Sequence, residues 1–392
     1  MVNAKEDHAT GRRLRLGMVG GGPGAFIGAV HRIAARLDDR YELVAGALSS
    51  DAARGRAGAR DLYISPERAY DNFAAMASSE AQRPDAIDAV AIVTPNHVHY
   101  PAAKVFLEAG IHVICDKPLT TSLDDAMALE RAVRRTGLIF GLTHNYTGYP
   151  MVRQARQMVA EGKLGGIRVI QVDYAQDWLA IPLEATGHKQ ATWRTDPAQS
   201  GPGGCLGDIG THAYNLACFV SQLECEEVAG ELSTFVPGRR VDDNVQTLLR
   251  FRGGARGMLW ASQVASGNRN NLRLRVYGEE AGLEWRQEEP NYLLFSPFGK
   301  PPREIHRAAP GADETAAHAS RVPSGHPEGY LEAFAQLYTD LAEQISAHRE
   351  GCAPNPASLL VPGVEEGVAG VRFISAVVES SRKNSAWVRL GA

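Results

Sequence analysis

The sequence predicts an α/β chain: a Rossmann-type, doubly wound parallel sheet at the N-terminus, then an α+β domain on an open, mostly antiparallel sheet. Three observations predict it. Up to Leu142, short apolar runs alternate with amphipathic stretches of helix length, the pattern of βαβ units. A glycine cluster, Gly20 to Gly28, follows the first run. Beyond Pro150 the apolar runs become neighbours joined by tight turns such as Gly253-Gly254, which pair strands antiparallel. At 392 residues the chain is long enough for two domains, which we divide as 1–146 and 147–392.

Taken in order, Leu14–Val19 reads as the first strand, and apolar residues at helical spacing predict a helix over Phe26–Leu37. Glu42–Leu48, Ala89–Val93, Ile111–Cys115 and Leu138–Leu142 read as further strands. Between them lie a helix over Pro101–Ala109, stopped by Gly110, and another opened by the capping box Ser122/Asp125 and closed by Gly137. In the second half a helix, Met151–Glu161, precedes a long strand, Ile167–Tyr174, and a helix spans Gly210–Val220. Strands are expected at Val245–Phe251, Ala255–Gln263, Leu272–Tyr277, Gly282–Arg286 and Tyr292–Phe295. Residues 297–327 carry six prolines and little periodicity, so they are expected to form a long loop. Helices over Glu328–Arg349 and Gly363–Ser381 complete the chain.

Composition excludes several classes. A formal net charge of −4 is unlike the basic footprint of a nucleic-acid binder, and the arginine pairs at 12–13 and 239–240 read as solvated faces. The five cysteines are odd in number and none has CxxC spacing, so neither a disulfide framework nor a metal site is signalled. No apolar run reaches the ~20 residues that cross a bilayer. Arg12-Arg13 precedes an apolar stretch too short for a twin-arginine leader, and a cytoplasmic protein is expected.

Gly20, Gly22 and Ala25 satisfy GxGxx(G/A), with Gly24, Phe26 and Ile27 in the same turn; Gly28 is a second candidate for the glycine that packs helix against strand. Such a turn brings backbone N–H groups and a helix N-terminus to a pyrophosphate. The second strand ends in Ser49-Ser50-Asp51 with Arg54 beyond. A serine and an arginine suit a 2′-phosphate, whereas Asp51 would suit a bare ribose, so the cofactor is NAD or NADP with a slight lean to NADP.

Two segments carry candidate chemistry. Asp116-Lys117-Pro118 closes a strand at the carboxyl end of the sheet, where an ammonium can stabilise charge on a substrate oxygen. In Gly203–His212, Asp208 and His212 lie four apart across a helix start; the histidine suits proton exchange at neutral pH, and a carboxylate nearby would fix its tautomer. Asp208 also has the ordinary reading of an N-cap.

With Gly20–Gly28 and His31, Thr94-Pro95-Asn96-His97-Val98-His99, Asp116-Lys117-Pro118 and Gly203–His212 in this order, the chain resembles the Gfo/Idh/MocA family of oxidoreductases. The resemblance implies a sugar or cyclic-polyol dehydrogenase with Lys117, Asp208 and His212 as its catalytic set. It sets Thr94, Pro95, Asn96, His99 and Asp116 on the cofactor side, and implies a homodimer or homotetramer formed through the second sheet. Three departures stand out: Asp116 replaces a glutamate, the glycine turn is longer, and Asn215 stands where many members have a second aspartate. Hydroxyl recognition would draw on His144, Asn145 and Tyr146, on Gln176, Asp177 and Trp178, and on Trp193, Arg194 and Asp196. Two rival readings are a redox-neutral, NAD-dependent glycoside hydrolase and a sugar-sensing protein without chemistry.

Overall fold

The computed structural model describes residues 12–391. Its first sheet holds five parallel strands: β1 (Leu14–Gly20), β2 (Tyr41–Ala47), β3 (Ala89–Val93), β4 (His112–Cys115) and β5 (Phe140–Leu142). Their order is β2-β1-β3-β4-β5. Every residue of β3, β4 and β5 is buried, as expected of parallel strands covered on both faces. The chain reverses its winding between β1 and β3, and such a switch point opens a crevice at the strands' carboxyl ends. There the segments Gly20–Pro23, Thr94–Asn96, Asp116–Lys117 and Thr143–Tyr146 emerge side by side.

The second sheet has nine strands: β6 (Ile167–Ala175), β7 (Cys225–Ser233), β8 (Asn244–Phe251), β9 (Arg256–Ser262), β10 (Asn271–Gly278), β11 (Ala281–Arg286), β12 (Tyr292–Pro297), β13 (Arg303–His306) and β14 (Val388–Arg389). The order is β13-β12-β11-β10-β6-β9-β8-β7-β14. Among the described residues, only the central pair β6–β9 of this sheet is parallel. One face packs on the helices Pro150–Ala160 and Thr211–Ser221, burying Trp285, Phe251 and Tyr149. The opposite face leaves Leu248, Met258, Val169, Tyr277 and Leu294 exposed.

Two helices tie the halves together. Tyr330–Glu350 lays Phe334, Tyr338, Leu341 and Ile345 beside Leu16 and Met18 of β1. Val364–Arg382 sets Val364, Val368 and Val371 into the core that holds Phe106 and Leu129. Among the described residues no helix is long and apolar enough to cross a membrane.

The structure corrects two expectations. Residues 297–327 are not a plain loop: they contain β13 and a helix, Glu314–Ala319. Arg307 organises them, its buried guanidinium donating to the carbonyls of Val322, Pro323 and His326. Nor is Arg239 solvated. Its side chain is 1% exposed and donates to Glu184, Asp243 and the carbonyls of Leu179 and Ile181. Arg12, by contrast, is exposed and pairs with Asp88.

Candidate active site

Between the carboxyl ends of the first sheet and the second domain lies a cleft of about 590 Å³. Gly20, Gly21, Gly22, Pro23, Ala25 and Ile27 form one wall, and Thr94, Pro95, Asn96, Asp116 and Lys117 form the inner end. Trp193, Arg194 and Asp208 close over it from the second domain. The glycines are required by contact. A Cβ at Gly28 would meet the Cα of Gly21 at 2.3 Å, so Gly28 is the glycine that packs the helix Phe26–Leu37 against the turn. A Cβ at Gly22 would sit 2.5 Å from the Leu48 carbonyl oxygen. Backbone thus reaches the cleft wall where side chains would fill it, which fits a dinucleotide's pyrophosphate.

Not every predicted cofactor residue lines this cleft. Gly24 lies off it, and Phe26 is 66% exposed. His99 is fully buried with its two ring nitrogens on the carbonyls of Pro118 and Thr94, so it joins two cleft-lining turns instead of facing the cleft. Asn96 lines the cleft and donates to the Ser200 carbonyl, a link between the domains. At the far end Ser49, Ser50 and Arg54 line the wall. Asp51 is turned into its own helix, where it accepts from the Arg54 backbone N–H as an N-cap. Asp71, which the sequence did not single out, lines this end and pairs with Arg56.

At the inner end the Lys117 ammonium donates to the Asp208 carbonyl at 2.5 Å and to its carboxylate at 2.8 Å. The other carboxylate oxygen accepts from Gln263 at 2.8 Å and lies 3.3 Å from Arg194. Burial pushes the Asp208 carboxyl up, but Lys117 and Arg194 outweigh it and hold it at about 2. Asp208 sits inside a π-helical turn, Leu206–Gly210, and is not an N-cap. Such turns are frequent at functional sites. The turn is fastened by Asp242, which accepts from the Gly204 and Leu206 backbone N–H groups; burial lifts this carboxyl to about 6 despite the two donors. Asp116 accepts from Thr143, and burial, which would raise it, is overcome by His31 and Lys117, so the carboxyl is held low.

His212 is 7% exposed, one helical turn beyond Asp208. Its partner is not the expected carboxylate: Nδ1 meets Nδ1 of His144 at 3.3 Å. Burial, then Lys117 and His144, push its pKa well below the usual histidine range. The ring lies against Tyr146 and Tyr174, whose hydroxyls bond each other. Asn270, absent from the sequence reading, accepts from both Tyr174 and Gln176, and Trp178 donates to Gln176. Asn145 is 1% exposed and its amide nitrogen has no partner among the described residues. Trp193 and Arg194 stack on each other along the cleft. Asp177 accepts from the Gly267 N–H, and Asp196 caps the helix Pro197–Ser200 and pairs with Arg240, so both serve local structure.

Fold and cleft define an NAD-binding oxidoreductase domain joined to a second domain that completes the site. The oxidoreductase family profile described as an NAD-binding Rossmann fold, GFO/IDH/MocA, matches residues 14–144, and that family's C-terminal domain matches residues 152–284. The chain belongs to this family. It is 54% identical to an oxidoreductase from Sinorhizobium meliloti, with a TM-score of 0.88 over 96% of this chain and 99% of that one. An inositol dehydrogenase homolog from Azotobacter vinelandii, solved with NAD+, is 36% identical, with a TM-score of 0.93 over 99% of this chain and all of that one. An inositol dehydrogenase homolog from Azotobacter vinelandii, 36% identical, has also been solved with NADH and myo-inositol. Levoglucosan dehydrogenase of Pseudarthrobacter phenanthrenivorans is 28% identical over 96% of this chain and 98% of its own length.

Proposed function

We propose that this protein is a dehydrogenase that moves hydride between a nicotinamide dinucleotide and a hydroxyl-bearing carbon of a sugar or cyclic polyol. One observation carries the reading: Lys117 and Asp208, from two domains, meet at the inner end of the glycine-lined cleft, and His212 lies buried one helical turn beyond Asp208, near enough to feel the charge of Lys117. On this reading residues 1–146 serve the cofactor and 147–392 the substrate; residues 1–11 and 392 lie outside the described residues.

When bound, the nicotinamide supplies the hydride acceptor for oxidation or the donor for reduction. An ammonium has three donors, and Asp208 takes two of those on Lys117. The third holds the substrate oxygen and stabilises its charge as alcohol becomes ketone. His212, kept neutral by its surroundings, takes the hydroxyl proton. Asp208 fixes the ammonium. Asn145, Tyr146 and Gln176, with Asn270, offer hydrogen bonds to the remaining hydroxyls, and Trp178, whose one N–H is given to Gln176, offers its ring face. The unbonded Asn145 amide supports this, because an unpaired buried donor costs about 1–3 kcal/mol. Relatives that carry myo-inositol or are named for levoglucosan support a polyhydroxylated ring.

Ser49 and Arg54 support acceptance of NADP beside NAD. The apolar outward face of the second sheet supports a homodimer or homotetramer. Free thiols at all five cysteines support a cytoplasmic location. The test is a screen of inositols, aldoses and sugar acids with NAD and NADP, read by reduced-nicotinamide absorbance. Turnover of at least one class is expected. Titration calorimetry with each dinucleotide checks the cleft independently. Cofactor binding without turnover of any sugar or polyol would overturn the substrate class.

A further inference from the structure

Two buried histidines from different domains meet edge to edge at the inner end of the site. His144 lies in the turn after β5, and His212 on the helix Thr211–Ser221; their ring planes are 84° apart and their Nδ1 atoms 3.3 Å apart. A hydrogen bond between two such nitrogens needs a proton on one and a lone pair on the other. Two protonated nitrogens, or two bare ones, would repel. The pair therefore couples the tautomer of one ring to that of the other. The groups facing His212 are Lys117 from the turn after β4, His144 and Tyr146 from the turn after β5, and Tyr174 from β6. Asp208, which the spacing offered as the partner of His212, is taken by Lys117, Gln263 and Arg194.

We propose that His144 is the positioning residue for His212: its bare Nδ1 accepts the His212 Nδ1 proton and leaves the lone pair of His212 on Nε2. This rests on the dehydrogenase reading above. In the oxidation the substrate O–H bond breaks and an Nε2–H bond forms, while the hydride leaves the same carbon with its electron pair for the oxidised nicotinamide dinucleotide. The Nδ1 proton stays in place, and His144 stabilises the imidazolium by accepting its hydrogen bond. In the opposite arrangement His212 carries its proton on Nε2 and offers no base to the hydroxyl. Which nitrogen of a histidine is bare follows from the bond made by the other, so a neutral imidazole does here what a carboxylate does in other acid–base pairs. A 3.3 Å contact is long for such a bond, and catalytic hydrogen bonds commonly tighten when substrate arrives.

The tautomer is read directly by 15N NMR of the histidine rings in the cofactor-free protein near neutral pH, with His212 assigned by its loss in His212→Gln. We expect a protonated Nδ1 and a bare Nε2 on His212, and a shift toward Nε2–H in His144→Ala. In kinetics, His144→Ala lowers kcat about 100-fold with KM little changed. His144→Asn, whose amide oxygen can accept the same proton, recovers much of the loss. A wild-type His212 protonated on Nε2, or a folded His144→Ala enzyme with unchanged kcat, overturns the proposal. Should His144→Ala fail to fold, the wild-type spectrum and His144→Asn decide. If the wild-type protein turns over no polyol, the substrate reading falls and the spectrum still decides the histidine pair. An active dehydrogenase with His212 protonated on Nε2 removes the pairing alone.

Discussion

Of the ion pairs that bridge distant parts of this chain, two differ in what they leave open. Arg153 and Asp340 are both wholly buried, 2.5 Å apart. Arg153 also donates to the carbonyls of Thr147 and Ala357, and Asp340 also bonds Gln336 and His318. The pair fastens the turn that carries His144 and Tyr146 to the helix Tyr330–Glu350. Lys117 and Asp208 keep 12% and 17% of their side chains exposed at the inner end of the cleft. There Asp208 is fully engaged, while Lys117 retains a donor. A saturated ion pair is a fastening; an unsaturated one facing a cleft has a hydrogen bond to give a substrate.

Breaking each pair should therefore damage a different quantity. The largest effect is expected for Lys117→Met, which removes the donor but keeps the apolar stem. We expect kcat to fall by about 10³–10⁴, with a urea midpoint close to wild type because Gln263 and Arg194 still hold Asp208. An equal loss of stability would mean that Lys117 is merely another fastening. Asp340→Ala should do the reverse, costing about 3–5 kcal/mol by leaving Arg153 charged and buried. Equilibrium unfolding measures that cost, and a change within experimental scatter would contradict it.

Protons sharpen the contrast between buried and accessible groups. Burial, and then His348, push His112 at the start of β4 down to about 4. Below its ordinary 6.5 the unfolded chain takes up a proton that the folded chain refuses. The unfolded state then binds more protons, so stability falls as pH falls from about 6.5 towards about 4. His112→Asn should make that decline shallower by about 1.4 kcal/mol per pH unit, measured by urea unfolding at several pH values. Parallel wild-type and variant lines would refute the assignment. The smallest effect is expected at the far end of the cleft, where Arg54→Ala should reduce kcat/KM with NADP about tenfold, or ~1.4 kcal/mol, and leave NAD nearly unaffected. Equal losses with both cofactors would show that Arg54 does not read the 2′-phosphate.

Much of the fold was legible because its signals are local. Each β-strand of the first sheet is a short apolar run bounded by glycine, proline or a polar turn, and the glycines of 20–28 announce the close contact between Gly21 and Gly28. The segment 297–327 misled because β13 is an edge strand with three polar residues among its four, and the order of the segment comes from Arg307 reaching backbone carbonyls. Within the site, Lys117, Asp208 and His212 carried recognisable spacing. Gln263, Asn270 and Asp242 did not. Asp242-Asp243 looks like a solvated charge run, and nothing local tells that both carboxylates are buried on backbone N–H groups.

The amino-acid order by itself determined the βαβ layout, the glycine turn, and the delivery of Thr94–Asn96 and Asp116–Lys117 to the carboxyl ends of parallel strands. Periodicity and backbone conformational preference act over a few residues, so these features need no knowledge of the rest of the molecule. The pairing of side chains was decided only in three dimensions. Asp208 takes Lys117, 91 residues away, and His212 takes His144, 68 residues away, because the domains bring those groups within hydrogen-bond reach after folding. A buried ionised or polar group takes whichever complementary partner the packing places beside it, and a one-dimensional spacing does not contain that distance.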